Sequence, residues 1–278
     1  IRMVNNTITK LGFSRDKIKC IEHHLCHAAG GFFLSGYKNA IVITADGKGD
    51  LLSHQTYVAK NNVFMLKHES HDYDSVGLFY SCVTAFLGFI PLRHEGKITG
   101  LAAFGDLKKT SHIDFPLRLN KDSSSLKNLF LKDVGESSYY KVFKKMFREN
   151  SKVFFKILTS KSYFKFEYAR YKWMDFLKDN FSEIAKEDVA AFAQNRFEKI
   201  LVDMVDSQIL DKKTNVVLSG GNFANVRLNQ KISEIDGVKS VYILPAMGDC
   251  GLAVGAALWE YWSNKKWDHY YWHKIKYP

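Results

Sequence analysis

The sequence predicts an α/β fold: a mixed sheet flanked by helices and interrupted by a basic, mostly helical insert. Three observations carry this. Three β-type runs follow one another between residues 39 and 69 with short connections, the pattern of an antiparallel meander. From residue 184 onward, helical and strand patterns alternate, the signature of an α/β arrangement. Between these parts, from Leu107 to Asn180, about seventeen Lys or Arg stand against about eight Asp or Glu, most of the net charge of +11.

The first element is a helix starting near Glu22-His23-His24-Leu25-Cys26-His27-Ala28-Ala29 and stopped by Gly36. Its alanines favour helix and no proline interrupts it. On a helix His23 and His27, at i and i+4, share one face, whereas His24 lies roughly 100° around. Two imidazoles so placed can ligate one divalent metal at about 2.0–2.1 Å each. The competing reading is a set of histidines satisfied in a core or solvated on a surface. Next, Asn39 to Thr44 reads as a buried strand ending at Ala45-Asp46-Gly47-Lys48-Gly49-Asp50. A carboxylate at a strand end beside Gly47 and Gly49, whose backbone N–H groups are accessible, suits a metal or a phosphate. Ordinary turns use the same letters. Ser53 to Ala59 and Val63 to Glu69 complete the meander, joined by the turn Asn61-Asn62.

After His71-Asp72-Tyr73-Asp74-Ser75-Val76-Gly77 comes an apolar helix, Leu78 to Leu87, that Asp74 or Ser75 can cap and whose N-terminus attracts an anion. His94 to Gly105 is dense in small residues, which permit close approach of another helix or of a ligand. In the insert, lysines alternate with Phe and Tyr, as in Tyr140, Phe143, Lys144 and Phe147. Basic and aromatic residues together can bind single-stranded nucleic acid, but this spacing fits solvated lysines over a helical packing face better. A helix from Ile184 to Leu210 and a strand from Asn215 to Leu218 lead to Ser219-Gly220-Gly221-Asn222 and a helix start. Such a turn presents N–H groups to a nucleotide, with Asn225 and Asn229 at i and i+4 on the helix face. It is neither a GxGxxG nor a GxxxxGK[ST] motif, which argues against a dinucleotide fold or a P-loop. A strand, Ser240 to Leu244, then carries Asp249 at a strand-to-helix turn, before the helix Leu252 to Trp262. A carboxylate there also serves as an ordinary cap.

At 278 residues and 46% hydrophobic content the chain can bury a large core, as one domain or two lobes. No apolar stretch reaches the ~18–20 residues a membrane helix requires. The four cysteines, Cys20, Cys26, Cys82 and Cys250, form no CxxC pair, which suits a reducing cytoplasm. An opening Ile1 and an aromatic-rich end suggest part of a longer polypeptide.

The ordered set HHLCHAA, ITADGKGD, DSVGLFYSCVTAFLGF, EGKITGLAAFG, LSGGNFANVRLN and LPAMGDCGLAVGAAL resembles the amino-terminal domain of the nodulation and antibiotic-biosynthesis O-carbamoyltransferases. That domain is similar to the tRNA threonylcarbamoyladenosine transferase, of the actin–Hsp70–sugar-kinase superfold. The resemblance covers nearly everything outside the insert. It implies an end of a first lobe at residues 1–38 and a second lobe at 39–278, with an insert at about 107–182. It implies a divalent metal, iron(II), held by His23, His27, Asp46 and Asp249. It also implies ATP and carbamoyl-adenylate bound by turns that include Gly47, Gly49, Ser75, Gly77, Gly220, Gly221, Asn225 and Asn229. These turns should face one another across a cleft. Carbamoyl phosphate, ATP and a hydroxyl acceptor are the implied partners, with a YrdC-like domain in cis or in trans that makes the adenylate. His24 and His71 are candidate bases. The first phosphate loop and the YrdC-like domain have no room in this sequence. Departures from the family pattern are Asp50 in place of Glu, Thr99 to Phe104 in place of a Met-Gly-Leu-Ala-Pro-Tyr-like run, and Asn222 in place of an apolar residue. The rival readings are a threonylcarbamoyl transferase acting on tRNA and a non-catalytic nucleotide- or partner-binding domain. The turn and small-residue motifs favour a small-molecule acceptor over nucleic acid.

Overall fold

The computed structural model describes residues 7–122, 124–131, 144, 161–209 and 213–263. Its centre is a five-stranded mixed sheet. Strands β1 (Asn39–Gly49), β2 (Leu52–Lys60) and β3 (Val63–His71) pair antiparallel as a meander. With β6 (Thr214–Ser219) and β7 (Val238–Ile243) added in parallel, the order is β3-β2-β1-β6-β7. A separate two-stranded ribbon, β4 (Leu117–Leu119) with β5 (Leu126–Asn128), lies within the basic segment. The Asn61-Asn62 turn adopts left-handed φ at both residues, as a tight hairpin connection demands.

Side chains on a strand alternate between faces, and β1 uses this to feed two cores. Ala40 and Val42 join Val217 of β6 on one face, covered by helices α1 (His23–Ser35) and α7 (Leu252–Ser263). Ile43 and Ala45 join Val216 and Leu218 on the other. That second core is closed by α2 (Val76–Phe86), α3 (Glu95–Leu101), α4 (Lys161–Phe181), α5 (Lys186–Asp206) and α6 (Val226–Ser233). Fully buried rings such as Phe32 and Phe33 on α1 each contribute about 1.5–3 kcal/mol. The insert is not peripheral. Trp173, Leu177 and Phe181 of α4 are buried in the second core beside Phe79 and Phe192. The expected faces at Tyr140, Phe143 and Phe147 lie outside the described residues.

Small residues explain how α1 and α7 come together. A Cβ at Gly255 would overlap the Cys26 carbonyl oxygen, and one at Gly30 would lie 3.4 Å from the Gly255 Cα. Gly36 ends α1 with φ +70°. Among the described residues no helix is long and apolar enough to cross a membrane.

Candidate metal centre

Strand β1 runs past the expected stop at Thr44, and the hairpin turn falls instead at Asp50-Leu51, both with positive φ. Ala45 pairs with His54 and Gly49 with Leu52, so Asp46, Gly47 and Lys48 together oppose the single residue Ser53. This bulge bends the strand and swings Asp46 out of the ladder. The Gly47 N–H donates to Asp46 Oδ1 at 2.6 Å, and Ser75 Oγ donates to the Asp46 carbonyl at 3.1 Å. Asp46 Oδ2 is left facing the histidines.

Those histidines stand on the first two turns of α1. The Glu22 carboxylate caps the helix through the N–H groups of His24 and Leu25, and Asp50 accepts from the His23 N–H at 2.9 Å. His27 is turned by Ser219, whose Oγ lies 3.3 Å from Nδ1. From the far end of the chain, Asp249 opens a short 3₁₀ turn (Asp249–Gly251) ahead of α7. His23 Nε2 lies 3.7 Å from Asp46 Oδ2 and 3.5 Å from Asp249 Oδ1. For His27 Nε2 the same distances are 3.3 and 3.6 Å. All four groups offer ligand atoms within 4.8 Å of one another.

These separations have a chemical meaning. Four donors about 2.1 Å from a tetrahedral centre sit roughly 3.4 Å apart, whereas good N–H···O bonds are shorter. His23 Nε2, His27 Nε2 and Asp46 Oδ2 are buried and have no hydrogen-bond partner among the described residues. Buried polar atoms aimed at one point and left unpaired are costly unless something fills that point. The donor set, two imidazoles and two carboxylates, fits a divalent transition metal. Side-chain exposure rises from 0% at His27 through 14% at His23 and 18% at Asp46 to 69% at Asp249, so the cluster opens on one side. Burial disfavours the charged His23 ring, but Asp46, Asp249 and Asp50 outweigh it and raise its pKa. Asp46 is held well below the usual carboxylate range: burial opposes this, and His23, His27 and the Gly47 N–H overcome it.

The two carboxylates of the cluster, Asp46 and Asp249, line a cavity of about 470 Å³ whose walls also include Gly77, Tyr80, Arg93, Glu95, Asn222 and Asn225. The Gly220-Gly221 turn does not face Asp46-Gly47 across a gap; it packs directly on it. Gly220 has φ +105°, and a Cβ there would overlap the Ala45 carbonyl, while one at Gly221 would sit 3.1 Å from Asp46 Oδ1. Gly77 is similarly pressed, 2.7 Å separating its would-be Cβ from Asn222 Oδ1. Gly49 is bare because the His23 ring lies against it, and Gly47 borders the cavity.

The two asparagines are not a pair on a helix face. A 3₁₀ turn (Gly221–Ala224) lies between Gly220 and α6, so Asn225 is the N-cap, its Oδ1 accepting from the Leu228 N–H. Its amide is further tied to Gln194 and Thr99. Asn229 donates to the Phe223 carbonyl and does not line the cavity. Ser75 caps α2 through the Leu78 N–H and is fully buried. His24 is also buried, 2.9 Å from Thr44 Oγ1, and burial pushes its pKa down to about 4. His71 stacks on Tyr73. Neither histidine lines the cavity. Sequence reasoning passed over Asp50 and Ser219 as supports of the histidines, and Tyr80, Arg93 and Asn222 as cavity walls. Asn222 carried a signal, as a polar residue where the family pattern is apolar.

The sequence matches the family described as carbamoyltransferase N-terminus over residues 3–258. The chain belongs to that family. This carbamoyltransferase N-terminal domain is 32% identical to an uncharacterized protein of Methanocaldococcus jannaschii, over 91% of this chain and 41% of the relative. It is 26% identical to the nodulation protein NolNO of Sinorhizobium fredii, over 87% of this chain and 31% of that protein. The nodulation protein NolO of Bradyrhizobium diazoefficiens is also 26% identical, over 86% of this chain and 38% of its own length. The domain thus spans about a third to two fifths of the length of these relatives.

Proposed function

We propose that this domain is the transfer site of an O-carbamoyltransferase, moving a carbamoyl group from carbamoyl-adenylate to a hydroxyl of a small-molecule or sugar acceptor. The observation that carries the reading is the meeting of His23, His27, Asp46 and Asp249, the two carboxylates lining a cavity, in a chain of carbamoyltransferase kinship. In this reading the four residues hold a divalent metal, iron(II) by resemblance. A cation held there would supply Lewis-acid polarisation of the carbamoyl oxygen and of the departing phosphate. Strand order β3-β2-β1-β6-β7, antiparallel at one side and parallel at the other, supports a lobe of actin–Hsp70–sugar-kinase type.

The chain's own residues have defined tasks in this proposal. The packed turns at Asp46-Gly47 and Gly220-Gly221 border the adenylate, and Arg93 offers a positive charge to its phosphate. The acceptor oxygen bonds to the carbamoyl carbon, the carbon–oxygen bond to the adenylate phosphate breaks, and AMP leaves. The hydroxyl proton passes to a carboxylate of the cavity, because His24 and His71 lie outside its walls. Adenylate formation from ATP and carbamoyl phosphate belongs to a YrdC-like domain in cis or in trans. The four cysteines are free, which supports a cytoplasmic location.

The test is equilibrium binding of Fe²⁺ or Co²⁺ to the purified chain, followed by transfer of labelled carbamoyl phosphate in the polypeptide that also carries the adenylating domain. Binding lost in Asp46→Asn together with loss of transfer supports the proposal. Transfer that persists with all four ligands replaced would overturn it.

A further inference from the structure

The bulge that presents Asp46 also contains Lys48, and Lys48 turns away from the cavity toward the insert. Its Nζ lies 3.4 Å from Asp72 Oδ2, 4.0 Å from the centroid of the Phe166 ring and 5.0 Å from that of Tyr163. Both aromatic residues are on α4. Asp72 is fully buried, and neither carboxylate oxygen has a hydrogen-bond partner among the described residues. Its compensation is the ammonium of Lys48. The ammonium, whose side chain is one-third exposed, sits against that carboxylate and the two aromatic rings, so that cation–π attraction adds to the ion pair. The same short segment grips the bulge a second time, since Ser75 donates to the Asp46 carbonyl. Helix α4 reaches this segment again through Lys165, 4.9 Å above the Tyr73 ring.

We propose that Lys48 is a positioning residue, and that through it the insert helix α4 fixes the bulge that aims Asp46 at His23 and His27. The inference rests on the metal reading for its consequence but not for its geometry. The cage restrains Gly47 and Asp46 whether or not a cation is bound. Because Tyr163 and Phe166 come from the insert, the insert becomes part of the site's support. Residues that orient a ligand from behind typically change metal affinity by about 10–100-fold when replaced.

Two readouts on the purified chain test this. The first is amide hydrogen exchange of residues 45–49 in the metal-free protein. The second is Co²⁺ affinity by titration calorimetry. Lys48→Met and Phe166→Leu should each raise exchange in the bulge and weaken Co²⁺ binding about tenfold, while Lys48→Arg and Phe166→Tyr should behave as the parent. Lys48→Met leaves Asp72 buried without its cation, so Lys48→Met with Asp72→Asn serves as a second variant. It should regain stability in thermal unfolding without regaining Co²⁺ affinity. Unchanged exchange in the bulge of Lys48→Met overturns the proposal, as does an unchanged Co²⁺ affinity in a parent that binds the ion. A parent that does not bind Co²⁺ counts against the metal reading alone, and the exchange experiment then decides the role of Lys48.

Discussion

Single residues divide the work of the site between holding and being held. His27 is fully buried, with one ring nitrogen on Ser219 and the other unpaired, so its loss separates two effects. His27→Ala is expected to abolish measurable Co²⁺ binding while costing about 1–3 kcal/mol in chemical denaturation. His54 is a purely structural counterpart. It sits in β2 between Ser70 and Thr56, and burial lowers its pKa from the ordinary 6.5 to about 3. A histidine that is neutral when folded but takes a proton when unfolded contributes stability above pH 6.5. That stability is lost as pH falls from 6.5 toward 3. The loss is on the order of 5 kcal/mol, and His54→Gln should flatten the acid limb of the stability curve measured by urea titration. A variant whose acid limb is unchanged would show that other groups govern it.

At the scale of elements, the site depends on how closely α7 approaches α1. Gly255→Val should push the helices apart, cost about 3 kcal/mol or more, and carry Asp249 away from His27, weakening Co²⁺ binding. Gly100→Ala on α3, where a Cβ meets nothing within 4 Å, is the control and should stabilise slightly, by about 0.5–1 kcal/mol. Thermal unfolding and calorimetry of the pair distinguish these outcomes. Elements of this kind were largely legible in the sequence. Periodicity marked the meander, α2, α5 and the strand before Gly220, because those patterns are set by burial on one face or two. The bulge at Asp46 was not legible: a strand that leaves its ladder for three residues and returns reads as a turn. The N-cap role of Asn225 was hidden for a similar reason, since four residues of 3₁₀ turn shift every later helix position by about one turn. The convergence of Asp249 with Asp46 came from resemblance alone, because no local pattern records where the far end of a chain returns.

For the whole molecule, the domain spans about two fifths or less of the relatives cited, and the proposed function gives the adenylating chemistry to a YrdC-like domain. The purified chain should therefore release no pyrophosphate from ATP and carbamoyl phosphate, and adding the complementary segment should restore release in a coupled phosphate assay. Steady release by the chain alone would place that chemistry inside these residues. The positions of the four candidate ligands also bear on the chain as a polymer. His23 and His27 belong to its first helix described here at full length, and Asp249 to the turn before its last. An ion shared between them would join points more than two hundred residues apart, closing nearly the whole domain into a ring. Closing so long a loop removes about 5 kcal/mol of unfolded-chain entropy in the usual estimate. Chelation would then act as a pair of scissors on a circle, and the melting temperature would fall with chelator before any change in the fold could be seen.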